Sequence, residues 1–217
     1  MNKMLIFSAF IILAFLGCTS NSRKRLSISK QEINSKNSSK IIVDCHYTFD
    51  EAIFGTKAPA SIIKQLQLMD VTYYSIDGKL HKGQILTNKK MVCKLESIFR
   101  FILQHKFPIE HAIPIVKYNW DDNLSMEANN TYSFCYRDIS YSKHAMGMAI
   151  DINPCFNPER WKKGYEYRLN KPKGAHYNPK IAGTFYNGNP VVEQFKKLGF
   201  HWGHNFSMKY DDHHFEL

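Results

Sequence analysis

Two short stretches hold most of the side chains that could do chemistry together. "SKHAMGMAIDIN", residues 142–153, sets His144 and Asp151 seven positions apart in a largely apolar run. "DDHHFEL" closes the chain and adds Asp211 and His214, three positions apart. His144, Asp151 and His214 together offer two imidazoles and one carboxylate. Three protein ligands plus an open position for water is the pattern of catalytic zinc. Zinc lowers the pKa of such a water toward about 7, and Asp211 would take its proton and pass it to a leaving amine. A lone histidine is more often a satisfied structural group than a ligand. The two stretches therefore carry the argument jointly. His213 is set aside, because neighbours on a strand face opposite sides. Asp212 lies one residue off the base position and should face away, and His176 and His201 belong to no pattern.

These residues need elements to position them. "MGMAIDIN" reads as a strand carrying Asp151, and the closing "FHWGHNFSMKYDDHHFEL" as a hairpin that ends in a strand. "TYSFCYR" reads as a further strand and "DDNLSMEANN" as a short helix. Upstream, "PASIIKQLQLM" spaces Ile62, Ile63, Leu66 and Met69 as a helix would. "VTYYSIDGKLHKGQILTN" alternates and turns at Asp77-Gly78, a hairpin signal. Met91, Leu95, Ile98, Phe99 and Ile102 form one face of a helix that Asn88 would cap and Pro108 would follow. "NPVVEQFKKLG" has Asn189 as cap, Pro190 in the first turn and Gly199 at the far end. Residues 154–188 are rich in loop formers. The mixture implies an α+β fold, with helices packed on a mainly antiparallel sheet.

The 217 residues suffice for one domain with a real core, and a hydrophobic content of 44% with 22% charged residues is ordinary for a globular chain. Residues 1–18 have the shape of an export signal, with one Lys, an apolar run and Gly17-Cys18. Their ending "FLGC" resembles a bacterial lipobox, with Phe15 in place of the usual Leu, which marks Cys18 for lipidation and the membrane as a partner. An uncleaved anchor or ordinary signal cleavage is the alternative. Residues 19–40 read as a flexible tether and 41–217 as the folded domain. Export, to the periplasm or the cell surface, permits disulfides among Cys45, Cys93, Cys135 and Cys155, with three pairings open. Cys93 lies in a helical apolar stripe and is expected to be a buried thiol. The net charge of +10 suits an anionic polymer or a simply solvated face. With an export signal present, cell wall is the better partner than nucleic acid, and no oligomer is expected.

Ser142-x-His144-x-x-Gly147-x-Ala149-x-Asp151, followed by Asp211-x-x-His214, resembles the zinc peptidases of the D-alanyl-D-alanine carboxypeptidase family. That family includes VanY-type carboxypeptidases and the L-alanyl-D-glutamate endopeptidases of phage lysins, and shares a fold with lysostaphin-type enzymes and hedgehog signalling domains. The hairpin sequence, the helix running to "KFPI", "CYRDIS" and "LGFHWG" occur in the order the family has them. The resemblance implies a single domain of that fold. It makes His144, Asp151 and His214 the ligands of Zn2+, and Asp211 the acid/base. Arg137 would hold substrate and stabilise charge developing on the scissile carbonyl. Ser142 would bind substrate or brace the His144 loop, and Gly147 would permit a tight backbone approach. The implied substrate is a peptidoglycan stem peptide containing D-amino acids. It would be trimmed at its terminal D-Ala or cut between L-Ala and D-Glu. Trp202-Gly203-His204 departs from the family's frequent Trp-Gly-Gly, so His204 would crowd the cleft, contact substrate or sit in a loop. Trp202 would line the cleft or pack in the core. From other classes, a noncatalytic zinc-containing cell-wall binding module and a membrane-tethered nucleic-acid binder compete. The first has no need of Asp211, and the second leaves the His-Asp constellation without a purpose.

Overall fold

The computed structural model describes residues 41–139 and 141–217. The export signal, Cys18 and the tether lie outside the described residues. Among the described residues no helix is long and apolar enough to cross a membrane.

The frame is a hairpin carrying a helix. β2 (Leu66–Tyr74) and β3 (Leu80–Asn88) pair antiparallel along their whole length, joined at Asp77-Gly78 as expected. β1 (Ile42–Val43) adds to β3 in parallel. The helix expected from Pro59 to Met69 is corrected. α1 (Phe49–Ile53) precedes it, but α2 spans only Ala60–Ile63, and Leu66 already opens β2. A nine-residue ladder of hydrogen bonds with β3 outweighs the local helical spacing, which is a weak prior against tertiary pairing.

α3 (Val92–Gln104) packs Val92, Leu95, Ile98, Phe99 and Ile102 into the core beside Met69, Val71, Tyr73 and Ile85 of the hairpin. Asn88 does not cap it. Asn88 is the last residue of β3, the cap position belongs to Met91, and the Asn88 amide donates to the Met146 carbonyl. Cys93 is also corrected: it sits one step off the apolar stripe and is exposed, whereas Cys135 is buried. All four cysteines are free thiols.

The second half is built from small pieces. β4 (His111–Ala112) pairs in parallel with β5 (Asn130–Thr131), and α4 (Asp122–Glu127) lies between them in sequence. The "TYSFCYR" strand shrinks to β5 and one bridge, Tyr132 to Asp151. β6 (Ala149–Asp151), β7 (Glu159–Trp161), α5 (Pro190–Lys197), β8 (His201–Trp202), β9 (Lys209–Asp211) and β10 (His214–Glu216) follow. Asn189 caps α5 and Pro190 occupies its first turn, as its punctuation predicts.

β6, β10 and β8 form one antiparallel sheet, with β10 central; β7 and β9 form a separate two-stranded ribbon. The expected terminal hairpin is therefore corrected: β9 and β10 adjoin in sequence but serve different sheets. The fold is mixed helix and sheet, compatible with α+β, with the sheet divided into four small ones.

Candidate metal centre

His214 and Asp151 meet because β10 and β6 pair in the register His214 opposite Asp151. Alternation along β10 decides which side chains face out. Phe215 points into the core and stacks on Phe195 at 3.9 Å, so His214 and Glu216 share the other face. Burying Phe215 contributes about 2–3 kcal/mol and locks that choice. His144 arrives from a 3-10 turn, Lys143–Met146, with Ser142 at its N-cap. The Ser142 side chain makes no capping bond, and its carbonyl accepts from Ala145 N–H. Gly147 ends the turn at φ +64 and brings its carbonyl to Asn88 N–H at 3.0 Å. A Cβ there would stand 2.8 Å from that nitrogen. The tight approach expected of Gly147 is thus between the His144 turn and the end of β3.

The three side chains converge while buried. His144 Nε2 lies 3.1 Å from Asp151 Oδ1 and 3.1 Å from His214 Nδ1, and His214 Nδ1 lies 2.9 Å from Asp151 Oδ1. Ligands held at 2.0–2.1 Å in a tetrahedron stand about 3.3 Å apart, so the triangle needs only a small expansion to take zinc.

The outer nitrogens make the stronger argument. His144 Nδ1 is 2.7 Å from the Ser133 carbonyl, which can only accept, so Nδ1 carries the proton. His214 Nε2 is 3.1 Å from the Glu216 carboxylate, which fixes its proton likewise. With their outer nitrogens so engaged, His144 Nε2 and His214 Nδ1 turn toward each other and toward the Asp151 carboxylate, an arrangement that calls for a cation: a proton on His214 without metal, or a metal ion in its place. These partners orient the rings as the second shell of a metal site does. The Tyr132 ring stacks over His144 at 5.1 Å between centroids.

Charges around the triad follow from burial and proximity. Burial would raise Asp151, but His144, His213 and His214 hold it well below the usual carboxylate range. Burial would lower His214, yet its bonds to Asp151 and Glu216 carry it up to about 10 without metal. Both are statements of how much positive charge this pocket attracts.

Asp211 is buried at the end of β9, outside the triad. Its Oδ2 pairs with Lys209 Nζ at 2.8 Å. His213 Nε2 approaches Oδ1 at 2.9 Å, but off the hydrogen-bond line, so Oδ1 accepts no aligned bond from the described residues. Burial would raise Asp211, and His213, His214 and Lys209 together hold it well below its ordinary value. It is an ionised carboxylate with a free acceptor site. Gly203 allows the turn to sit there, since a Cβ on it would meet the Asp211 carbonyl oxygen at 2.6 Å.

His213 lies outside the donor triangle, 3.8 Å from Asp151 Oδ2, with Nδ1 on the Asn157 carbonyl. It occupies the turn between β9 and β10, not a strand, which corrects the reason for setting it aside. Asp212 faces away as expected, held by Arg160 at 2.9 and 2.6 Å and by His204 Nδ1 at 2.6 Å. His204 thus neither crowds a cleft nor hangs free: it pairs with Asp212 and stacks on Trp202. Trp202 is core, its indole N–H on the Asp212 carbonyl. Arg137 pairs with Asp122 at 2.8 Å, and its Nη2 lies 3.4 Å from the Tyr132 hydroxyl. It borders a cleft of about 560 Å³ with Lys57, Trp120, Tyr136 and Asp138, and its buried Nε has no partner among the described residues.

Glu216, Tyr132, Asp122, Glu159 and Lys209 escaped the sequence reading. Glu216 and Lys209 had a signal, since His214-x-Glu216 and Lys209-x-Asp211 on strands each put both side chains on one face.

Residues 137–217 match a family model described as D-alanyl-D-alanine carboxypeptidase. This stretch is therefore similar to a peptidase family, and it contains Arg137, Ser142, His144, Asp151, Asp211 and His214. The chain matched no curated protein and no solved structure.

Proposed function

We propose that this chain is a zinc-dependent peptidase that hydrolyses peptidoglycan stem peptides containing D-amino acids, of the D-alanyl-D-alanine carboxypeptidase or L-alanyl-D-glutamate endopeptidase type. One observation carries the reading: His144, Asp151 and His214 converge, buried, with His144 Nε2 and His214 Nδ1 facing each other and the outer ring nitrogens held by Ser133 and Glu216. The peptidase match over the same residues supports it. His144, Asp151 and His214 would hold the zinc. Bound there, zinc supplies a Lewis acid for the scissile carbonyl and makes water a nucleophile at neutral pH.

The chain's own residues do the rest. Asp211 receives the proton of the attacking water on Oδ1, which is buried and has no aligned partner among the described residues, and delivers it to the leaving amine nitrogen. Lys209 and His213 keep that carboxylate ionised until then. Arg137, braced by Asp122, turns guanidinium N–H groups toward the carbonyl oxygen as it gains charge. Ser142 contacts the peptide beside the His144 turn. Export and lipid attachment at Cys18 belong to the same proposal.

The test is metal content together with the masses of products from purified muropeptides. The protein should bind one zinc, and loss of a terminal D-Ala or cleavage after L-Ala will tell the two types apart. A zinc-loaded protein that binds muropeptides without cutting them overturns the proposal in favour of a noncatalytic wall-binding module. A His214→Ala variant with normal zinc removes the ligand assignment.

A further inference from the structure

The β7–β9 ribbon has two faces, and one of them leads away from Asp211. Its register sets Glu159 opposite Asp211 and Trp161 opposite Lys209. Directly paired residues, and residues two apart on one strand, share a face. Asp211, Glu159, Lys209 and Trp161 therefore lie on the same side. Contacts agree: Lys209 Nζ reaches Asp211 at 2.8 Å and lies 5.9 Å from the Trp161 ring centre. Arg160 and Tyr210 occupy the opposite face, stacked on each other. Trp161 is two residues along from Glu159, so it stands about 7 Å from the Glu159–Asp211 rung.

Over Trp161 sits Arg168, its guanidinium carbon 4.6 Å from the ring centre. Loop 162–170 is tied back to hold it there. Trp161 Nε1 donates to the Leu169 carbonyl at 3.0 Å, and Trp161 N–H donates to Asn170 Oδ1 at 3.3 Å. Arg168 is exposed and makes no ion pair among the described residues. Lys163 in the same loop is exposed as well. The one acid of the loop, Glu166, is exposed and accepts from Gly164 N–H at 2.6 Å. Arg168 Nε donates to the Tyr167 hydroxyl at 3.5 Å; its terminal N–H groups stay at the edge of the stack, where a cation held on an indole loses little freedom on binding a planar anion.

We propose that Arg168, stacked on Trp161, is a specificity subsite for a carboxylate that the peptide substrate carries beyond its scissile bond. The inference rests on the peptidase reading above and adds the class of substrate: an acidic peptide, its carboxylate aligned along the ribbon face that begins at Asp211. Lys209 is not the receptor, because Glu159 and Asp211 already occupy it.

The test compares two synthetic stem peptides on the zinc-loaded full chain, one with a free glutamate carboxylate and one with the carboxamide in its place. Wild type should show a lower KM for the carboxylate peptide by about fivefold, the scale of a partly exposed charge-assisted pair. Arg168→Gln should erase that preference by raising KM for the carboxylate peptide, with kcat kept. Arg168→Lys should restore part of it, and Trp161→Leu, which removes the stacking platform, should lose part. Equal KM values in wild type, or a preference that survives Arg168→Gln, overturns the subsite. If neither peptide is cut, the peptidase reading fails separately, and binding of the same two peptides carries the test: equal affinities overturn the subsite.

Discussion

Glu216 is the residue whose contribution is easiest to isolate. It touches His214 Nε2 and not the donor triangle, so its removal leaves all three candidate ligands in place. Glu216→Ala should weaken zinc binding between about ten- and a hundredfold, as loss of a ligand's orienting partner does. Chelator competition measures this, and an unchanged affinity would show that β10 alone orients the ring. Asp211 tests the opposite case, chemistry without ligation. Asp211→Asn should keep zinc and fold while hydrolysis falls by roughly two orders of magnitude or more. Lost zinc would make Asp211 a ligand, and near-normal turnover would end its role as base. The three ligand candidates and Asp211 were legible in the sequence because their residue types and spacing are uncommon together. Glu159 was not. It comes beside Asp211 and Lys209 through a strand pairing across about fifty residues of chain.

At the scale of elements, the His144 turn depends on one close approach. Gly147→Ala would force a left-handed φ on an alanine and drive its Cβ against the Asn88 backbone. The variant should lose at least about 2 kcal/mol of stability and bind zinc more weakly, because His144 moves with the turn. Chemical denaturation and a zinc titration report both, and a neutral result would mean that the two backbones can part freely. Helix α3 supplies a second test. Cys93 is exposed on its solvent side, while burial pushes the Cys135 thiol up to about 12. An alkylating reagent at neutral pH should modify Cys93 first and leave Cys135 intact until the chain unfolds. Peptide mapping that finds Cys135 labelled early contradicts the packing around Ile115 and Tyr132.

For the whole molecule, the buried charges set how stability follows pH. Without metal, His213 and His214 have pKa values raised to about 9 and about 10 from 6.5. Burial opposes these rises; Asp211 and Asp151 act on His213, and the bonds to Asp151 and Glu216 act on His214. Groups with raised folded values stabilise fully below about pH 6.5 and lose that stabilisation as pH climbs through 9 to 10. Asp151 and Asp211 are held low, so their stabilisation is present at neutral pH and lost in acid. The metal-free protein should therefore unfold at a temperature lower by more than about 5 °C at pH 9.5 than at pH 6.5. Zinc takes the place of the inward proton on His214, so the loaded protein should decline less over the same window. Thermal scans at the two pH values, with and without zinc, decide this. Parallel declines would mean that the metal does not occupy the triad.

The sequence by itself determined the local elements and the inventory of the site. Asp77-Gly78 specified the hairpin, Asn189-Pro190 started α5, and the stripe from Leu95 to Ile102 specified α3, because each is a property of neighbouring residues. Tertiary structure decided whatever depends on distant pairing. It made a strand of Leu66–Tyr74 against helical spacing, and it assigned β9 and β10 to different sheets. It also turned His144 and His214 inward through the Ser133 carbonyl and the Glu216 carboxylate. A hydrogen bond formed across a fold has no trace in local periodicity, and the direction in which an imidazole presents its lone pair is set by such bonds.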